Sequence, residues 1–195
     1  MERLPFRPAQ EIDVAALQGR LRADFDHLPN SIRTLAWRPP ILHAVVDLWQ
    51  AVMGEGTVPR DLKWMVGNLA SKAAGCMYCS AHTVTGASRS GAETAKTAAL
   101  WSFESSPLFT AAERAALAMA LHAAQVPNGV TDQDFAELRR HFSPEQCAEL
   151  LAVVAIYGFF NRWNDSLATP LEPDAAGHAA QQLGTSGWRP GRHAR

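Results

Sequence analysis

The chain is poor in charge of either sign. Lys and Arg number 18, Asp and Glu 19, and charged residues make up 19% of the 195 positions. No block of one sign occurs, so the basic stripe that neutralises phosphates is missing and nucleic acid is not an expected partner. Cysteine is scarce too, with only Cys76, Cys79 and Cys147. The first thirty residues scatter Glu2, Asp13, Asp24 and Asp26 where a secretory signal needs an apolar core. An odd cysteine count in such a chain argues against a disulfide framework. Long apolar runs are missing as well. The longest, residues 150–160, falls far short of the ~20 needed to cross a bilayer and reads as a buried helix. The expectation is therefore a soluble, cytoplasmic protein with no membrane partner. Alternating β-branched runs are also absent, which removes the signature of a half-buried sheet.

What remains is an alanine-rich chain, 47% hydrophobic, punctuated by glycine and proline. These features predict an all-α fold of about eight helices. Asp13 caps a helix over Val14–Leu21, and residues 28–30 read as a turn. Pro39-Pro40 opens a helix that Gly54 ends, and Pro59 opens the next. In that helix Leu62, Met65, Val66, Leu69 and Ala73 form an apolar stripe, with Arg60, Asp61, Lys63 and Lys72 mostly on the other side. Gly75 breaks it, and helices over 77–88 and 92–100 follow. Thr110/Glu113, Thr131/Asp134 and Ser143/Gln146 have the spacing of N-terminal caps. Residues 1–183 read as one helical domain, with the cysteine-motif core at about 41–105. Residues 184–195, carrying Arg189, Arg192, His193 and Arg195, read as a flexible basic tail. A weak internal repeat aligns Pro59, Cys76 and Cys79 with Pro144, Asn161 and Asn164 at equal spacing.

The chemistry concentrates in Gly75-Cys76-Met77-Tyr78-Cys79-Ser80-Ala81-His82. Two thiols three residues apart at the start of a helix lie close enough to bridge. The unpaired N–H groups and positive dipole end of that first turn stabilise a thiolate, the form a nucleophilic cysteine needs. His82, three residues beyond Cys79, is placed to take the thiol proton, and Tyr78 to donate to a bound oxygen. Competing readings are two inert buried thiols, or zinc held by Cys76, Cys79 and His82. A closed zinc site wants a fourth ligand, for which Cys147, inside an apolar helix, is a poor candidate. No metal and no cofactor are expected. The other histidines, His27, His43, His122, His141, His178 and His193, show no partner by spacing.

Residues 62–87 (LKWMVGNLASKAAGCMYCSAHTVTGA), supported by 159–173 (FFNRWNDSLATPLEP), resemble the carboxymuconolactone decarboxylase and alkylhydroperoxidase D superfamily, nearest its peroxidase-related branch. The resemblance implies an alkylhydroperoxidase D-like helical fold, a trimer or hexamer of identical chains, and thiol peroxidase activity. It implies that Cys79 attacks a hydroperoxide and becomes the sulfenic acid, that Cys76 resolves it, that His82 relays a proton, and that an external dithiol or thioredoxin-like reductant restores the pair. Two departures stand out. The pattern places three residues between the second cysteine and the histidine, where this chain has two, a rotation of about 100° on a helix. It also places a glutamate twelve residues before the first cysteine, where this chain has Trp64. Glu149, Asp61 and Glu93 are the candidate replacements. The alternatives in function are a non-redox lactone decarboxylase-like enzyme and a thiol redox sensor without turnover.

Overall fold

The computed structural model describes residues 3–21, 24–25 and 27–194; Glu2, Asp26 and Arg195 lie outside them. Among these residues the chain forms ten α-helices and no strand: α1 (Val14–Leu21), α2 (Asn30–Leu35), α3 (Pro39–Met53), α4 (Arg60–Ala74), α5 (Met77–Arg89), α6 (Thr94–Ala98), α7 (Ala111–Ala123), α8 (Asp132–His141), α9 (Pro144–Leu167) and α10 (Pro173–Leu183). All three expected capping boxes are present, at the starts of α7, α8 and α9. The Asp13 side chain accepts from the Ala16 N–H at 3.1 Å, the cap expected for α1. The helices missed are α2, where a turn was expected, and α10, which Pro173 opens after the proline-marked end of α9.

Helix α4 is the centre of the molecule, packed against α5, α7 and α9. Its stripe proved too narrow a description, because every residue of Leu62–Ser71 is buried. Lys63, expected on the solvent side, has no exposed surface. Its ammonium donates to the carbonyls of Val52 at 3.0 Å and Gly54 at 2.9 Å and pairs with Glu149, which compensates its burial. Glycine lets the helices approach closely at two points. A Cβ on Gly67 would lie 2.3 Å from the Tyr157 ring, and one on Gly86 would lie 2.4 Å from the Trp64 indole. Trp64 can therefore fill the interior between α4 and α5, and Tyr157 of α9 can lie across α4.

The turn that creates the cysteine motif is a Schellman end. Gly75 takes φ 76° and the Cys76 N–H reaches back to the Ser71 carbonyl at 3.0 Å. The chain restarts at once, with Cys76 as the N-cap residue of α5. The corresponding part of α9 does not break, so Asn161 and Asn164 remain inside one continuous helix. The segment from residue 184, expected as a loose tail, is packed. Trp188 is buried and donates to the Met77 carbonyl at 3.3 Å, and the His193 carbonyl accepts from the Leu171 N–H at 3.0 Å. Trp188 and His193 are the two residues of this stretch that its net basic composition concealed as buried. Burial of Trp188, with its hydrogen bond to Met77, offsets part of the cost of ordering this turn.

Gly86→Ala should lower stability by about 2 kcal/mol, because the indole of Trp64 has nowhere to retreat in a filled core. Urea unfolding followed by circular dichroism checks this; Gly177→Ala, whose Cβ meets nothing within 4 Å, is the control.

Candidate functional site

Cys79 and His82 border one cleft. Its walls are Phe25, Trp49, Tyr78, Tyr157 and Phe160, with Leu21, Ile32, Val45 and Val46, and it holds about 480 Å³ of empty space, part of it open to solvent. That lining suits one small apolar or aromatic molecule. The rings are interlocked: Trp49 meets Trp64, Tyr157 and Phe160 edge-on at 5.5, 5.9 and 5.6 Å between centroids. Few polar atoms face this space. The Asn164 amide nitrogen lies 3.5 Å from the Cys79 sulfur, while its Oδ1 and the Tyr157 hydroxyl are buried without a hydrogen-bond partner. A bound molecule with a polar edge would find an acceptor and a hydroxyl there.

The two sulfurs differ in setting. Cys76 is fully buried at the N-cap, beyond the cleft lining, and Cys79 is one of the lining residues. The Cys79 thiol donates to Cys76 and lowers its pKa most. Burial opposes this, the His193 ring and the Cys79 N–H lower it further, and Cys76 comes to about 6. Cys79 is pushed well above the ordinary thiol range, first by burial and then by the charge on Cys76, with the Asn164 amide offsetting only part. The pair thus holds one thiolate and one thiol, with the negative charge resting on Cys76.

The partner of His82 is Glu172, an acid the sequence reasoning did not name. His82 Nε2 donates to Glu172 Oε2 at 2.8 Å. The other oxygen accepts from the Tyr78 hydroxyl at 3.0 Å and from the Asn30 N–H. Burial would raise the Glu172 pKa, but the His82 hydrogen bond and charge, with the Asn30 N–H, hold it at about 2. None of the three acids considered earlier reaches the site. Glu149 pairs with Lys63 and Thr57, Asp61 caps its own helix through the Leu62 N–H, and Glu93 is the N-cap residue of α6. The only signal for Glu172 was its place in the second resembling stretch, 90 residues from His82.

The remaining sequence candidates disperse. Cys147 donates to the Phe142 carbonyl at 3.7 Å. His122, His141 and His178 find Asp134, Glu137 and Ser88 respectively. His193 was missed. It is buried, its Nδ1 donates to the Thr169 carbonyl at 2.8 Å, and its Nε2 meets Asp165 Oδ1 at 3.0 Å. Cys76, Asp165 and His193 bring a sulfur, a carboxylate oxygen and a ring nitrogen within 4.8 Å of one another. The Cys76, Cys79, His82 and Cys147 set considered for zinc is not gathered in this way.

Because the Glu172 pKa is depressed in the fold, its contribution is complete above about 4.5 and fades as pH falls toward about 2. Glu172→Gln should cost about 3 kcal/mol at pH 7, and the gap to the parent should close over that acid range. Urea unfolding at pH 7, 5, 4 and 3 measures it; a gap independent of pH would contradict the assignment.

Residues 39–122 match the carboxymuconolactone decarboxylase family. No curated protein matches the chain in sequence. Among solved structures, a cysteine-to-alanine variant of the debrominase Bmp8 in complex with 2,3,4-tribromopyrrole superposes with a TM-score of 0.86 at 30% identity, over 91% of this chain and 95% of that one. The apo form of the same debrominase gives 0.83 at 31% identity, over 89% and 94%. An uncharacterised peroxidase-related protein from Ralstonia eutropha JMP134, with an alkylhydroperoxidase core, shares the fold at a TM-score of 0.64 and 24% identity, over 89% and 94%. No helix among the described residues is long and apolar enough to cross a membrane. The chain therefore carries a carboxymuconolactone decarboxylase family domain over residues 39–122, on a helical fold that it shares with alkylhydroperoxidase-core proteins.

Proposed function

We propose that this chain is a dithiol-dependent oxidoreductase that reduces a small, apolar electrophile, and that a halogenated aromatic or heteroaromatic ring is its substrate class. The observation that carries the reading is the placement of Cys79, and not Cys76, on an aromatic-walled cleft that His82 also borders. The likeness to the debrominase over nearly the whole of both chains supports the halogenated ring, as do the two unpartnered polar atoms, Tyr157 Oη and Asn164 Oδ1, for a ring N–H or O–H.

The reaction follows from the two sulfurs. The proton shared by the pair moves to Cys76 as Cys79 attacks the halogen. The carbon–halogen electron pair returns to the ring carbon, which takes a proton from the His82–Glu172 pair, and Cys79 carries the halogen. Cys76 then attacks the Cys79 sulfur, loses its proton, and displaces halide as the disulfide closes. The balance is one aryl halide and two thiols to one arene, one disulfide, halide and a proton. An external dithiol returns the pair to the reduced state.

A second reading has its own support. The same cycle reduces a hydroperoxide: Cys79 takes the terminal oxygen and becomes the sulfenic acid, the alcohol leaves with a proton from His82, and Cys76 releases water. The CxxC pair and the alkylhydroperoxidase core of the Ralstonia eutropha neighbour favour it. Either way Cys79 attacks and Cys76 resolves.

With dithiothreitol as reductant, a brominated pyrrole or phenol should release bromide and cumene hydroperoxide should be consumed more slowly. Cys79→Ser should lower either turnover at least about 1,000-fold, the scale of losing a nucleophile. Cys76→Ser should give less than one turnover and leave an oxidised Cys79 that mass spectrometry detects. Full turnover in both single variants would refute dithiol chemistry. Peroxide consumption without bromide release would replace the first substrate class with the second.

A further inference from the structure

We propose that His193 is a further catalytic residue of the dithiol centre, delivered to Cys76 by the last turn of the chain, with Asp165 as its positioning residue. The inference rests on the dithiol reading above and adds a proton acceptor on the resolving sulfur, separate from the His82–Glu172 pair that serves the cleft.

The geometry is specific. His193 is buried, and a ring nitrogen lies within 4.8 Å of both the Cys76 sulfur and an Asp165 carboxylate oxygen. Nδ1 must carry a hydrogen, because its partner at 2.8 Å is the Thr169 carbonyl, which only accepts. Nε2 faces Asp165 Oδ1 at 3.0 Å. With one nitrogen committed as a donor and the other against a carboxylate, the ring is arranged to be an imidazolium. Burial opposes that charge, but Cys76, Thr169 and Asp165 together raise its pKa above the ordinary histidine value. The other groups facing the pair are Cys79, which stays protonated, and the neutral Tyr78, whose ring centroid is 5.7 Å from that of His193. The segment is held in place independently of the sulfur. Trp188 donates to the Met77 carbonyl at 3.3 Å, and the His193 carbonyl accepts from the Leu171 N–H at 3.0 Å.

This arrangement acts at both ends of the cycle. In the resting dithiol, His193 holds the proton given up by Cys76, so the resolving sulfur is a thiolate. When an external thiolate attacks the Cys79 sulfur of the disulfide, a mixed disulfide forms there, the Cys76–Cys79 bond breaks, and its electron pair leaves on Cys76 beside the imidazolium. A second external thiolate displaces Cys79, which takes a proton from solvent. A stabilised leaving thiolate directs the first attack to Cys79 and makes the disulfide easier to reduce.

The test reads thiolate absorbance at 240 nm against pH in the full-length reduced protein. In His193→Gln the Cys76 midpoint should rise from about 6 by at least one pH unit, so thiolate content at pH 6.5 falls about three-fold or more. An unchanged midpoint in a variant with the parent's circular dichroism overturns the proposal. A second measurement needs no variant. The His193 ring, titrated by NMR, should have a midpoint about one unit lower in the disulfide form than in the dithiol form, because the thiolate facing it is gone. Equal midpoints overturn the proposal. Both readouts use the protein without substrate, so failure of the proposed activity and failure of the His193 role remain distinguishable.

Discussion

The Glu172 carboxylate accepts hydrogen bonds from the Asn30 N–H, the Tyr78 hydroxyl and His82 Nε2, and so ties together three segments of the chain. Asn30 opens α2, Tyr78 and His82 lie on α5, and Glu172 is the N-cap residue of α10. One buried negative charge therefore closes the wall of the cleft and fixes the rotamers of the two side chains on either side of Cys79. It is tolerated in the interior because each oxygen is satisfied. Remove it, and Tyr78 loses its acceptor and His82 its orientation, so the cleft depends on this carboxylate as much as on any apolar contact.

Beside that fixed wall, the dithiol is asymmetric by construction. The Schellman end at Gly75 drops Cys76 onto the N-cap of α5, fully buried, while Cys79 lies one turn further on and looks into the aromatic space. Burial taxes any charge on Cys79, and a charge on Cys76 taxes it again. The sulfur that faces the cleft is consequently the protonated one, and the negative charge rests on its buried neighbour. In the proposed cycle a thiolate reaches the cleft only when a substrate draws the proton across.

Much of this was legible from local spacing. The capping boxes, the break at Gly75 and the CxxC pair at a helix start are short-range patterns, and local rules find them. Lys63 was misplaced because periodicity assumes one solvent face, and α4 has none over Leu62–Ser71. Glu172 and His193 were not legible because each acts across a long sequence separation, Glu172 on His82 and His193 on Cys76. His193 was further concealed by neighbours, Arg189, Pro190, Gly191 and Arg192, whose composition reads as solvated chain. What holds that stretch is Trp188, a single large apolar side chain whose burial no average over a basic segment reveals.

The two departures from the family pattern are one rearrangement. Trp64 occupies the position where the pattern has a glutamate, and its indole fills the space against Gly86, leaving no room there for a charged group. The histidine is displaced by one residue, which turns it about 100° around α5. Its partner here is Glu172, contributed by the segment after α9 and bonded to His82 at 2.8 Å. A carboxylate–imidazole pair thus stands beside the second cysteine, with its acid on the segment after α9 and not on α4. Either shift alone would strand a partner: a glutamate at position 64 would face the packed interior, and His82 without Glu172 would be a partly buried ring without its carboxylate. The physical requirement is for the pair, not for a register, and a reading of spacing alone sees only the missing glutamate.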